Sequence, residues 1–126
     1  MSQSKTPELL YAYTRQNALD DGVLIDATQA AKEAGFHYPL AFTATAWARC
    51  VVVPIDCPWQ DESGRLWDVL WMLFNAIRRA PDDNPVRFSL QVCNHPSRSE
   101  EVHLKAHCGP GDDAQPVITI MLPHED

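Results

Sequence analysis

Twelve of the seventeen carboxylates in this chain stand as adjacent pairs: Asp20-Asp21, Asp61-Glu62, Asp82-Asp83, Glu100-Glu101, Asp112-Asp113 and Glu125-Asp126. Like charges held this close raise the local potential and cost stability unless something answers them. Three answers are open. Solvation with help from Arg78, Arg79 and Arg87 is one, a basic protein surface is another, and a divalent cation held by oxygen ligands is the third. No recognised cation-loop spacing accompanies the pairs.

Histidine and cysteine offer other chemistry. His103 and His107 share one face of a strand pattern, but four residues at ~3.3 Å each hold them about 13 Å apart. One metal ion with ligand bonds of ~2 Å cannot bridge that gap. Cys93, His95 and His124 fall toward one end of the expected sheet and form a conceivable composite zinc site. Cys50 and Cys57 make no CxxC, and no cysteine stands in a nucleophile motif. There is no GxSxG. Gly109-Pro-Gly111 lacks the lysine of a phosphate loop and leads into a strand instead of a helix. No catalytic, cofactor-binding or metal residue is assigned, and no cofactor is expected.

The elements that carry these residues follow from pattern. Thr14 caps a short helix that Gly22 ends. Val23 to Ile25 is a short strand of undetermined position in the sheet. Asp26 or Thr28 caps a second helix, Ala27 to Ala34, stopped by Gly35. Pro39 turns the chain, and Leu40 to Val52 contains a third helix with Thr43 near its start. Pro54 and Pro58 mark a loop with Cys57, Trp59, Asp61 and Glu62. From Gly64 to Arg79 a long helix centres Leu66, Leu70, Leu73, Phe74 and Ile77 on one face. Trp67 and Trp71 widen the apolar arc to roughly 220°, so cover on more than one side is expected. Trp47, Trp59, Trp67 and Trp71 suit an aromatic cluster over the core. An exposed Trp59 beside Asp61 and Glu62 would instead anchor a partner.

Beyond Pro85 the period changes to two. Val86, Phe88, Leu90 and Val92 alternate with polar residues, as do Val102, Leu104, Ala106 and Cys108, while Val117 to Leu122 is almost continuously apolar. Gly109-Pro-Gly-Asp112 fits a type II turn. The fold class is α+β: an antiparallel meander of three to four strands on a long central helix, with short N-terminal helices. Residues 1–9 are read as a flexible tail and 10–126 as a single domain. In that arrangement Asp82, Asp83, Asp112 and Asp113 share one end of the sheet, and Glu100, Glu101, Glu125 and Asp126 the other.

At 126 residues and net charge −7, the chain can bury a sizeable core without a metal or disulfide. Its charge disfavours direct nucleic-acid or anionic-membrane binding. The N-terminus has no signal-peptide core and no apolar run reaches a membrane span, so a cytoplasmic protein with four reduced, structural thiols is expected.

Specific blocks then add context. They are Tyr13-Thr-Arg15 with Asp21-Gly-Val-Leu-Ile-Asp26, Glu33-Ala-Gly-Phe36 with Pro39, Thr43 and Trp47, and Gly64-Arg-Leu-Trp-Asp-Val-Leu-Trp-Met72. The last block is Cys108-Gly-Pro-Gly-Asp-Asp113 with Pro116-Val-Ile-Thr-Ile-Met-Leu-Pro123 and Glu125-Asp126. Together these resemble a family of small uncharacterised proteins carried by bacterial plasmids, integrative elements and phages. The resemblance implies accessory cargo of mobile DNA and brings no catalytic residues. The expected function is a stoichiometric protein binder, plausibly an inhibitor of a host nuclease system such as CRISPR or restriction. It would act on a basic surface through Asp82, Asp83, Asp112, Asp113, Trp59, Asp61 and Glu62. The rival is a metal-dependent enzyme or metal-binding domain using His95, His103 or His107 with nearby carboxylates. A housekeeping oligomer without a ligand is the third reading.

Overall fold

A computed structural model describes residues 13–126. The expected tail, residues 1–9, lies outside the described residues. In chain order the elements are α1 (Arg15–Asp20), β1 (Leu24–Asp26), α2 (Thr28–Glu33), β2 (Leu40–Thr43), α3 (Ala44–Cys50), α4 (Glu62–Arg79), β3 (Val86–His95), β4 (Arg98–Pro110) and β5 (Pro116–Met121). No helix among them is long and apolar enough to cross a membrane.

Local chemistry sets the helix ends. Thr14 Oγ1 accepts from Asn17 N–H at 2.9 Å, and the Asn17 side chain reaches back to Thr14 N–H, a reciprocal cap. Gly22 (φ 78) and Gly35 (φ 105) take the left-handed conformation that ends α1 and α2. Asp61 caps α4, its Oδ1 accepting from Gly64 N–H at 2.7 Å. Neither candidate caps α2 in the expected way. Ala27 occupies its N-cap, while Asp26 accepts from the Thr28 hydroxyl at 2.6 Å.

The three C-terminal strands form the expected antiparallel meander, but the sheet is larger and mixed. Its order is β1-β2-β5-β4-β3, and β2 runs parallel to β5, with Leu40 beside Ile118 and Phe42 beside Ile120. The helix expected within Leu40 to Val52 is α3, with Thr43 at its start, but the residues before it, 40–43, form a central strand that the pattern did not predict. Leu40, Ala41 and Phe42 are buried on both faces, and Thr43 leaves the strand as the N-cap of α3. Its continuous apolar character, with no alternation, is what a strand buried on both faces requires. The strand near Val23 is Leu24–Asp26, antiparallel to β2 at the sheet edge.

One sheet face packs under α4, α2 and α3. Phe42, Leu40, Leu70, Leu73, Leu104 and Ile120 are its largest sealed side chains, and Phe36 meets Phe74 edge-on at 5.8 Å. The opposite face is only partly covered, by α1.

Two turns depart from expectation. β3 and β4 meet in a tight hairpin at His95–Arg98, with a register slip between Val92 and His95. At the next turn β4 runs through Pro110, and the reversal falls at Gly111–Gln115, not at 109–112. Gly111 N–H bonds to Gln115 O at 2.7 Å, and the left-handed residue is Ala114 (φ 66). Gly111 is needed for space, since a Cβ there would lie 2.9 Å from Val117 Cγ1. Ala114→Gly should stabilise the protein. The left-handed cost to an L-residue, about 1–2 kcal/mol, exceeds the glycine entropy cost of about 0.5–1 kcal/mol. A rise in the thermal midpoint checks it, and a fall would show that Ala114's methyl contributes packing.

Candidate partner-binding surface

The long helix leaves its tryptophans outside. Each residue turns the helix by about 100°, so burial of Arg65, Val69, Leu70, Leu73 and Ala76 sets Trp67 and Trp71 on the far side. They are 47% and 53% exposed, contrary to the expected cover on that flank. No aromatic cluster forms among the four tryptophans. Trp47 packs edge-on against Phe42 at 5.3 Å, while Trp59 is 62% exposed and Ile55 94% exposed in the loop before α4. Exposed carboxylates alternate with these side chains: Asp56, Asp61, Glu62 and Asp68. Residues 52–71 thus display large apolar groups between negative charges. Exposed tryptophans flanked by acids along one stretch of chain make it the candidate for partner contact.

The carboxylate pairs are answered mostly by hydrogen bonds. Asp112 accepts from Arg15 and Gln16 N–H at 2.8 and 2.9 Å, holding α1 to the β4–β5 turn. Asp113 accepts from Gln115 N–H, Asp20 from Gln16 and Asp21 from the Tyr13 hydroxyl. Arg49 pairs with Glu100 at 2.8 Å, and that hydrogen bond first, against opposing desolvation, lowers the Glu100 pKa from its ordinary value. Arg78, Arg79 and Arg87 make no ion pair among the described residues.

Asp82 and Asp83 accept no side-chain hydrogen bond among the described residues. They precede β3, and Asn84 ties that segment to β4 through both Cys108 N–H and Cys108 O. The β4–β5 turn with Asp112 and Asp113 is at the same end of the sheet. At the other end Glu100 is held by Arg49 in the last turn of α3. Glu125 is held by Thr43 and Thr45 at the helix start, so α3 separates the two pairs.

Among the described residues no three His, Cys, Asp or Glu side chains gather as metal ligands. Cys93, His95 and His124 therefore do not assemble the composite zinc site. His103 projects to solvent, 3.4 Å from Glu101. His107 and His124 instead help line a groove of about 1130 Å³ on the open sheet face. Its floor carries Lys105, Thr119 and Met121, and its walls come from α1 and the C-terminus. The pattern gave no sign of this groove because its lining comes from six separate segments.

The groove's polar groups largely satisfy one another. Arg15 donates to Thr119 Oγ1 at 2.7 Å and to Ile118 O at 3.0 Å. Glu125 accepts from Thr45, Thr43 and Leu122 N–H at 2.6, 2.7 and 2.8 Å. Burial pushes the Glu125 carboxyl up, but these bonds outweigh it and leave it below its ordinary 4.5. A depressed folded value means the stabilisation is present above the unfolded value and disappears as pH falls through the folded one. Urea midpoints should show Glu125→Gln costing stability at neutral pH and less in acid. An equal cost at every pH would place the contribution in packing.

The fold is mixed α/β, with tryptophans and carboxylates exposed along residues 52–71. The chain belongs to the family of unknown function DUF6573, whose model matches residues 2–126. No curated protein and no solved structure matches it.

Proposed function

We propose that this protein is a stoichiometric binder of a basic protein, and that residues 52–71 are its main contact surface. The observation that carries this is the exposure of Trp59, Trp67 and Trp71 between Asp56, Asp61, Glu62 and Asp68. Tryptophan is the residue type most enriched at binding hot spots, and flanking acids choose a positively charged partner and speed its approach. Asp82, Asp83, Asp112 and Asp113 supply a second negative patch.

The resemblance to proteins of plasmids, integrative elements and phages extends this reading to accessory cargo of mobile DNA. A basic surface that normally meets phosphate is a natural target, which makes a nuclease of a host defence system the favoured partner class. The purified protein is mixed with CRISPR and restriction nucleases of its host, and complex mass and DNA cleavage are followed. A one-to-one complex with slowed cleavage is expected. Unimpeded cleavage with another basic protein bound removes the inhibitor reading, and no basic partner at all removes the binder. The acid patch is tested with Asp82, Asp83 and Asp113 changed to Asn. Asp112 stays, because α1 hangs on it.

A further inference from the structure

Cys57 and Cys93 lie far apart in sequence and meet at one joint. Cys57 is fully buried in the loop before α4. Cys93 is half-buried near the end of β3, where the pairing with β4 slips. Gln60 ties the two backbones together, its N–H donating to Cys57 O at 3.2 Å and its Nε2 to Cys93 O at 2.7 Å. Burial pushes the Cys57 thiol up, and direct interaction with the Cys93 side chain adds to this. Arg65 completes the joint. Its Nη1 donates to Cys93 O at 2.8 Å, and its charge interacts with both sulfurs. The thiolate is the attacking species in disulfide exchange, and with the Cys57 thiol pushed up the exchange calls for mildly alkaline solution.

We propose that Cys57 and Cys93 form a thiol modification site, oxidised by small-molecule disulfides to an intramolecular disulfide that fastens the Trp59 loop to β3. Cys93, the more accessible, loses its proton to solvent and attacks one sulfur of a disulfide such as oxidised glutathione. The S–S bond breaks, and one glutathione departs as thiolate with the electron pair. Cys57 then loses its proton and attacks the Cys93 sulfur of the mixed disulfide, releasing the second glutathione. Two protein thiols are oxidised and one external disulfide is reduced to two thiols. Cys50, buried on α3 with its thiol pushed up to about 11 by burial, and the exposed Cys108 lie outside this pair.

The test uses the full chain, treated with oxidised glutathione in mildly alkaline buffer and then alkylated in denaturant. Alkylatable thiols should fall from four to two, the intact mass should drop by two hydrogens, and digestion should yield a peptide linking Cys57 to Cys93. The Cys50→Ser/Cys108→Ser protein should behave the same way, and a reductant should reverse the change. Four thiols persisting, a lasting glutathione adduct on Cys93, or a link to Cys50 or Cys108 would each overturn it. The readout is covalent and needs no partner, so it stands or falls apart from the binding function.

Discussion

Arg65→Ala should cost this protein about 3–5 kcal/mol of stability, read as a lower urea midpoint, because each buried acceptor left without a donor costs about 1–3 kcal/mol. Arg65 is only 5% exposed. Its Nε donates to Cys50 O at 3.0 Å, its Nη1 to Gln60 Oε1 and Cys93 O, and its Nη2 to Arg49 O and Asn94 Oδ1. Five acceptors from three places in the chain thus close on one guanidinium. Two are carbonyls at the end of α3, which have no partner within their own helix and which a cation suits. Alanine leaves Cys50 O, Gln60 Oε1 and Asn94 Oδ1 short of a donor and opens a void where the stem lay. Arg65→Lys should recover only part of the loss, since an ammonium cannot reproduce the planar fork. Arg65→Met separates volume from bonding: it fills the space but leaves Cys50 O without its donor, while Gln60 and Asn94 still donate to Cys93 O and Arg49 O. A cost below about 1 kcal/mol for the alanine variant would mean that water replaces the network.

Arg65 also shows where sequence reading stops. Its residue type points to solvent, whereas helical spacing sets position 65 on the same side as Val69, Leu73 and Ala76, where its guanidinium meets an internal joint. The capped start of α1, the reach of α4 and the period-two strands 86–92 and 102–108 were legible, because each rests on contacts within a few residues. The strand role of Leu40–Thr43 was not. A short apolar run suits helix or strand equally, and only the empty edge of β5, about eighty residues later, decides it. The turn at Gly111–Gln115 was misplaced for a similar reason. Gly111 reads as a turn residue but is required by Val117 across the strand pair. The tryptophan surface was half legible. Trp59 beside Asp61 and Glu62 was readable as an anchor, whereas Trp67 and Trp71 read as core, because apolar character alone cannot say that no element arrives to cover them.

That missing cover gives the largest expected functional effect. In the Trp67→Ala/Trp71→Ala protein, affinity for the partner should fall by at least about 100-fold, since a buried hot-spot tryptophan commonly contributes 2 kcal/mol or more when truncated. Folding stability should change by less than about 1 kcal/mol, because neither ring packs in the core and alanine is the better helix former. The two readouts are opposed by design. A structural role for the rings would lower the unfolding midpoint together with binding, whereas a contact role lowers binding alone. Trp59→Ala, in the loop, should add to the loss without touching α4. Raising salt should weaken the wild-type complex by screening Asp56, Asp61, Glu62 and Asp68, mainly through a slower association rate. It should leave the double variant's residual binding equally salt-sensitive, since the acids remain. Titration of partner against both proteins, with chemical unfolding alongside, gives both quantities. If the double variant binds as tightly as wild type, residues 52–71 are not the contact surface, and the acids around Asp82 and Asp83 become the site to mutate next.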